Sequence, residues 1–152
     1  MTAILLPVAH REQVSEAECV AVCVAMVLDY IGINASYERV MQILQTKEWG
    51  TVVSRIQALE QLGVLVIYKQ GTFAELQTHL SNNHPPIAFV ATRELPYWNG
   101  DEQHAVVVVG LDDNYIYLND PAFPTPAIPV SRGDFDLAWL EWDELYAVLM
   151  RR

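Results

Sequence analysis

Residues 13–32 read QVSEAECVAVCVAMVLDYIG, and the architecture of the domain follows from them. Ser15, with Glu18 three positions later, matches the capping-box pattern of a helix start. The residues that follow are apolar on almost every side until Gly32, where a helix would stop. A helix that is apolar nearly all round has to be buried. The stretch therefore predicts a central buried helix that begins near Ser15 and ends near Ile31.

The rest of the chain predicts shorter helices followed by strands. Amphipathic patterns indicate helices over residues 36–44, 51–62 and 73–80. Runs rich in Val, Ile and Tyr indicate strands over residues 64–68, 87–91, 105–109, 115–118 and 146–149. Asp112-Asp113-Asn114 is a turn signal that joins two of these strands into a hairpin. This order favours an α+β fold, in which an antiparallel sheet packs on the buried helix.

Length and composition indicate one domain over residues 1–152, because 52% of the residues are hydrophobic and only 18% are charged. A net charge of −10 repels phosphate groups and anionic lipid, so we expect neither nucleic-acid nor membrane binding. The chain has no secretory signal and no apolar run of about 20 residues, the length that spans a bilayer. We therefore expect a soluble, cytoplasmic protein without disulfide bonds.

Cys19 is the first candidate for chemistry, because it lies at the start of the buried helix. The helix dipole and the free backbone N–H groups there favour a thiolate, although Glu16 and Glu18 oppose it modestly. The simpler alternative is a small core residue. Cys23 lies one turn later and raises the possibility of a metal or redox pair. A zinc site wants four good ligands, so we interpret Cys23 as packing and expect no metal.

His104 and Asp120 are the second and third candidates, because His104 begins one arm of the hairpin and Asp120 ends the other. Antiparallel pairing returns them to opposed or diagonal positions about 5 to 8 Å apart at Cβ. They face the same side if the loop has an odd number of residues. An Asp carboxylate can then hold one ring nitrogen of the imidazole. Taken singly, each residue is better explained as an ordinary strand-edge histidine or a turn aspartate, and only their shared geometry favours the functional interpretation.

A nucleophile, a base and a group that orients the base are the parts of covalent acyl transfer. A side-chain amide shortly before the nucleophile could stabilise the oxyanion together with the Cys19 backbone N–H, and Gln13 occupies that position. The loop over residues 92–103 leads directly into His104 and carries Trp98. We select Trp98 for substrate contact among several aromatic candidates. The others are Trp49, Tyr97, Trp139 and Trp142.

These segments resemble the C39-type, bacteriocin-processing cysteine peptidases, which are bacterial enzymes with a papain-like fold. That family usually reads Gln, five residues and then Cys-Gly-x-Ala-Cys, and residues 13–28 are similar. His104-Ala105-Val106-Val107-Val108-Val109-Gly110 and Asn119-Asp120-Pro121 resemble its His and Asp-Pro blocks. The resemblance covers roughly residues 10–150. It implies Cys19 as nucleophile, His104 as base, Asp120 as its orienting partner and Gln13 as oxyanion donor.

The resemblance implies a hydrolase without a cofactor that acts on a peptide or protein substrate. The family includes peptidases fused to exporters that cut after Gly-Gly, whereas we expect no fused transporter here. Val20 stands where the family has glycine and Val22 where it has alanine. This extra bulk could narrow the groove, and the sequence leaves open whether Gly-Gly specificity holds. An inactive peptide-binding module and an acyltransferase with the same triad remain the alternatives. The sequence does not indicate an oligomeric state.

Overall fold

The computed structural model describes residues 3–152, so the first two residues of the predicted domain lie outside the described part. Its α-helices are α1 (Cys19–Tyr30), α2 (Tyr37–Leu44), α3 (Phe73–Ser81) and α4 (Arg132–Leu140). Segments of 3₁₀ helix cover Glu16–Glu18, Val53–Leu62 and Thr92–Glu94. The strands are β1 (Ile4–Leu5), β2 (Val64–Gln70), β3 (Ile87–Ala91), β4 (Gln103–Leu111), β5 (Tyr115–Asn119), β6 (Ile128–Ser131) and β7 (Leu145–Arg151).

The strands of the described chain form one sheet in which every pairing is antiparallel. Its order is β2-β7-β3-β4-β5-β6, and β1 pairs with the far end of β4. Helix α1 packs against β4 near the middle of this order. The predicted α+β architecture is thus confirmed. It places the start of the buried helix beside the strand that carries His104.

Helix α1 is buried as its composition predicts, since every residue from Val20 to Leu28 is buried. Its start differs from the capping-box prediction. The Ser15 hydroxyl donates to the Glu18 carboxylate at 2.8 Å and caps no backbone N–H. The turn Glu16–Glu18 is a 3₁₀ helix, and the α-helix begins at Cys19. Cys19 is therefore the first α-helical residue.

Three elements were not anticipated from the sequence, and each has a physical reason. Strand β1 is two residues long, too short to show any periodicity. Strand β6 contains Pro129, which is tolerated because β6 is an edge strand of the sheet. Helix α4 lies outside the predicted helices, although Ser131 caps it by accepting a hydrogen bond from the Asp134 N–H at 3.2 Å. Residues 53–62 form a 3₁₀ helix where an α-helix was predicted.

The predicted hairpin joins β4 and β5, but its loop does not have the odd number of residues that would put His104 and Asp120 on one face. The Asp112 N–H donates to the Tyr115 carbonyl at 2.9 Å, so two residues separate the closing pair. Continued without interruption, this register would set Asp120 opposite Val107. Side chains alternate between faces, so Asp120 would then point away from His104.

A β-bulge corrects this register. Gly110 pairs with Tyr117, whereas Val107 pairs with Asn119, so β4 holds one extra residue between them. Continued from Asn119, the shifted register sets Asp120 opposite Val106, which is two residues from His104 and on the same face. The bulge therefore decides that the imidazole and the carboxylate meet.

Gly110 also has a packing reason to lack a side chain. A Cβ atom at this position would lie 2.6 Å from the Ile4 carbonyl oxygen, well inside contact distance. Strand β1 approaches β4 here, with Leu5 opposite Gly110. The glycine that ends the His104 motif therefore allows the N-terminal segment to join the sheet next to the bulge.

Candidate active site

Cys19 and His104 line the same surface cavity, which has a volume of about 150 Å³. Cys19 is half-buried at the first turn of α1, and His104 comes from the first residues of β4. Cys23 lies one turn further and is fully buried. Burial, followed by the charges of Cys19 and Asp120, raises the pKa of Cys23 well above its usual value. Cys23 is thus a neutral packing thiol, and Cys19 is the cysteine that a substrate can reach.

His104 and Asp120 form a direct hydrogen bond of 2.6 Å between the imidazole Nε2 and the carboxylate Oδ1. The contact is shielded from water, because only 6% of His104 and none of Asp120 is exposed. With Nε2 engaged by the carboxylate, Nδ1 is the ring nitrogen available to the Cys19 thiol. A carboxylate on one nitrogen fixes both the ring orientation and the position of the proton.

The pKa of His104 is raised from its usual 6.5 to about 9. Burial alone would lower the pKa, but the hydrogen bond to Asp120, the neighbouring Cys19 thiol and the charges of both groups outweigh it. At neutral pH the ring therefore keeps a second proton and is an imidazolium. Beside a thiol, an imidazolium is the partner that stabilises a thiolate.

Asp120 is held by donors on both of its oxygens. Oδ2 accepts from the Tyr97 hydroxyl at 2.7 Å and from Trp98 Nε1 at 2.9 Å. Oδ1 accepts from the Ala122 N–H at 2.9 Å in addition to the imidazole. Burial opposes the charge, yet these hydrogen bonds together with the charge of His104 lower the pKa of Asp120 below its usual value. The carboxylate is thus ionised although it is buried.

Tyr97 and Trp98 are the partners whose contact with Asp120 the sequence analysis did not anticipate. The available signal was an aromatic pair in the loop that leads into His104, but nothing in a sequence says that both donate to one carboxylate. The Trp98 ring also packs edge-on against the His104 ring, with centroids 4.9 Å apart. Trp98 is not among the residues that line the cavity. Its contact with a substrate stays a prediction.

The segment after β5 is fastened from several sides, which keeps Asp120 in place. The Asn119 side chain donates to the Val8 carbonyl at 3.1 Å and accepts from the Ala127 N–H at 2.9 Å. His10 Nε2 lies 2.6 Å from the Phe123 carbonyl oxygen. The Asn119-Asp120-Pro121 segment is thus held in place by hydrogen bonds, and the Asp120 carboxylate with it.

Gln13 lies next to this segment, since its backbone N–H donates to the Pro121 carbonyl at 2.7 Å. Its side-chain Oε1 is buried and has no hydrogen-bond partner. Buried polar atoms are nearly always paired, so an unpaired amide oxygen is a feature that needs an explanation. A hydrogen bond thus holds the Gln13 backbone, whereas the oxygen of its side-chain amide makes none.

Within residues 3–152 no three His, Cys, Asp or Glu side chains are arranged to hold a metal ion. None of the helices in the same part of the chain is both long and apolar enough to cross a bilayer.

In a comparison with protein families, the model of the peptidase C39 family matches residues 8–143. The chain belongs to the peptidase C39 family. The match includes the candidate residues from Gln13 to Asp120. A comparison with curated protein sequences gave no significant match.

Solved structures similar to this C39 family member share its fold across nearly the whole chain. A protein described as a C39-like peptidase from Bacillus anthracis has a TM-score of 0.80 at 18% identity, with 100% of this chain and 99% of that chain covered. The peptidase domain of the Streptococcus ABC transporter ComA has a TM-score of 0.75 at 20% identity, covering 95% and 99%.

A double-glycine-motif protease from an AMS/PCAT transporter, solved with its leader peptide, has a TM-score of 0.76 at 20% identity. It covers 97% of this chain and 94% of that chain. These similarities confirm the predicted fold, that of the papain-like C39 peptidases. At these identities they concern the fold alone.

Proposed function

We propose that this C39 family member is a cysteine peptidase whose triad is Cys19, His104 and Asp120. The Cys19 thiolate attacks the carbonyl carbon of a peptide bond, after its proton has passed to His104. Asp120 holds the imidazole in the orientation that receives this proton. The Gln13 amide and the Cys19 backbone N–H would stabilise the negative oxygen of the tetrahedral intermediate.

Collapse of that intermediate breaks the C–N bond and expels the amine, which takes the proton from His104. The acyl group stays on the Cys19 sulfur as a thioester. Water then attacks the thioester carbonyl while His104 accepts a proton from it, and the carboxylic acid leaves as the thiol is restored. No cofactor enters either half of the reaction.

The observation that carries this proposal is the buried 2.6 Å bond between His104 and Asp120 beside the accessible Cys19. The raised pKa of His104 supports an imidazolium in the cavity that Cys19 also lines. One continuous hydrophobic core supports a single domain over residues 1–152.

Alkylation by iodoacetamide near pH 6 tests the activated thiol. We expect the Cys19 of the wild type to react at least tenfold faster than that of His104→Ala, because the imidazolium is what maintains the thiolate at this pH. His79→Ala is the matched control and should react like the wild type. Equal, slow labelling of Cys19 in the wild type and His104→Ala would contradict the proposal.

The neighbour solved with a leader peptide supports a peptide as the substrate class. Turnover is tested by mass spectrometry of peptide mixtures incubated with the wild type and with Cys19→Ala. We expect fragments only with the wild type. Peptide binding without fragments and without a trapped thioester would instead identify a peptide-binding module. Transfer of the acyl group to an added amine in preference to water would identify an acyltransferase.

A further inference from the structure

The cavity beside Cys19 extends beyond what the proposed reaction uses. Its volume of about 150 Å³ equals that of an apolar cavity known to accept a benzene molecule. Val20, whose bulk could narrow the groove, lines this space but does not close it. Glycine has no side chain, so a glycine in the substrate would leave the space empty.

Part of the cavity wall is apolar and buried, although polar side chains such as Gln103 also line it. Val20 is 4% exposed and Phe89 is 2% exposed, and Val53 also lines the cavity. Glu16 belongs to the lining but is solvent-exposed, so its carboxylate lies at the rim. An apolar group that enters would be removed from water on several sides, which is favourable in proportion to the area covered.

One outer wall is Trp49, whose side chain is 70% exposed although it is large and apolar. It stands on a tight turn that is closed by reciprocal backbone bonds between Lys47 and Gly50, at 2.8 and 3.1 Å. The hydroxyls of Thr46 and Thr51 hold the base of this turn at 2.8 Å. These hydrogen bonds hold the turn that places Trp49 at the cavity, and most of the Trp49 side chain is exposed there.

The other outer wall is Trp142, which follows α4. The next two residues, Asp143 and Glu144, both have a left-handed backbone, with φ values of 56° and 55°. This conformation is uncommon for residues other than glycine and recurs where a chain is turned to position a functional group. The turn leads into β7 through the bond from the Leu145 N–H to the Trp142 carbonyl at 3.1 Å.

We propose that the cavity lined by Trp49 and Trp142 binds one large apolar side chain of the substrate, of leucine to phenylalanine size, next to the scissile bond. This inference rests on the proposed function, because a specificity pocket has meaning only beside a working nucleophile. The protein accordingly selects peptides that carry a bulky apolar residue near the cleavage point and discriminates against Gly-Gly.

Tripeptidyl chloromethyl ketones test this without knowledge of the natural substrate, since the Cys19 sulfur displaces chloride and forms a stable thioether. The probes carry Gly, Leu, Phe or Lys at each of the two positions nearest the ketone. Mass spectrometry follows the rate of Cys19 modification. At one of the two positions we expect Leu or Phe to exceed Gly by about 10- to 200-fold, the usual discrimination by an apolar pocket.

Variants at the cavity wall connect the preference to this space. Val53→Phe fills the cavity and should reduce the preference for Leu or Phe over Gly to less than about threefold. Val52→Phe is the matched control, because Val52 is 53% exposed and does not line the cavity. Trp49→Ala should weaken the preference without lowering thermal stability, since Trp49 is mostly exposed.

The outcomes separate this inference from the proposed function. If the Gly, Leu and Phe probes all react equally fast with the wild type but only slowly with His104→Ala, the proposed specificity is wrong and the proposed peptidase activity stands. A preference for Lys would also overturn it, since Glu16 would then select the residue. Equal reaction of all probes in wild type and His104→Ala would reject both.

Discussion

Two imidazoles in this protein are each associated with a tyrosine and a carboxylate, but the order of the groups differs. His104 bonds Asp120 directly, and the Tyr97 hydroxyl donates to the same carboxylate from the other side. His79 contacts the Tyr146 hydroxyl at 3.0 Å, and that hydroxyl donates to the Glu75 carboxylate at 3.0 Å. In the second cluster the tyrosine lies between the ring and the charge.

The two arrangements shift the histidine pKa values in opposite directions. Burial lowers the pKa of both rings, but in His104 the direct carboxylate contact outweighs burial. In His79 burial and the nearby His84 lower the pKa, and the more distant charge of Glu75 does not compensate. Direct contact between imidazole and carboxylate, together with a thiol on the other side, is therefore what distinguishes a candidate base from a structural histidine.

Removal of each imidazole should give the largest contrast between the clusters. We expect His104→Ala to lower kcat for peptide cleavage by about 10²- to 10⁴-fold, the usual contribution of a general acid–base residue. His79→Ala should retain kcat within about threefold, because its ring does not line the cavity beside Cys19. Steady-state kinetics on a peptide that the wild type cleaves measures both. Similar losses in the two variants would abolish the functional distinction.

Removal of the carboxylate should destabilise the protein more in the His104 cluster than in the His79 cluster. Asp120→Ala leaves a buried imidazolium and three partly buried donors unpaired, so we expect the free energy of unfolding to fall by about 3–5 kcal/mol. Glu75→Ala removes a carboxylate that is 36% exposed and should cost less than about 1 kcal/mol. Denaturant unfolding measures both. If Asp120→Ala does not fold, Asp120→Asn keeps an acceptor for His104 and should be intermediate.

Titration of the two rings should show the opposite shifts directly. NMR should find the pKa of His104 near 9 and that of His79 below 6.5. The raised pKa means that the charged His104 stabilises the fold fully below pH 6.5 and that this contribution is lost as the pH rises through 9. For His79 the contribution is present above pH 6.5 and is lost as the pH falls through its folded pKa. A measured His104 pKa below 6.5 would contradict the conclusion that this ring is an imidazolium at neutral pH.

Removal of the tyrosine hydroxyl from each cluster should give the smallest difference in kcat. Tyr97→Phe removes one of two donors to Asp120 Oδ2, while Trp98 remains, so we expect kcat to fall about fivefold to tenfold, as for one hydrogen bond of about 1 kcal/mol. Tyr146→Phe removes a comparable bond from the His79 cluster and should leave kcat unchanged. An equal effect of both variants on kcat would indicate general destabilisation, which unfolding measurements on both variants would reveal.

Much of the fold was predictable because its signals are local. The apolar run from Val20 to Leu28 predicts a buried helix from composition alone, and it is buried throughout. Strand β3 begins and ends where its Val- and Ile-rich run does. The elements that were missed have weak local signals, such as the two-residue β1 or the proline-containing β6. Strand pairing formed them, and no short window of sequence contains that information.

The candidate site was likewise predictable only in part. Cys19 at a helix start and His104 and Asp120 at hairpin ends were identifiable from residue types and spacing. The donors to Asp120 were not, because Tyr97 and Trp98 lie more than 20 positions from it in the chain and their contact is a tertiary one. The cavity walls at Trp49 and Trp142 likewise come from turns far apart in the sequence.

By itself the amino-acid sequence determined which chemical groups the protein possesses, that α1 is buried and that β4 and β5 form a hairpin. Periodicity and turn residues act over a few positions, and these features need no more than that. Only the tertiary structure decided that His104 and Asp120 face each other, because an even-numbered turn would have separated them and a bulge between Val108 and Gly110 shifts the register back by one residue. A shift of one residue reverses the face of every side chain beyond it, and its position depends on how whole strands pack.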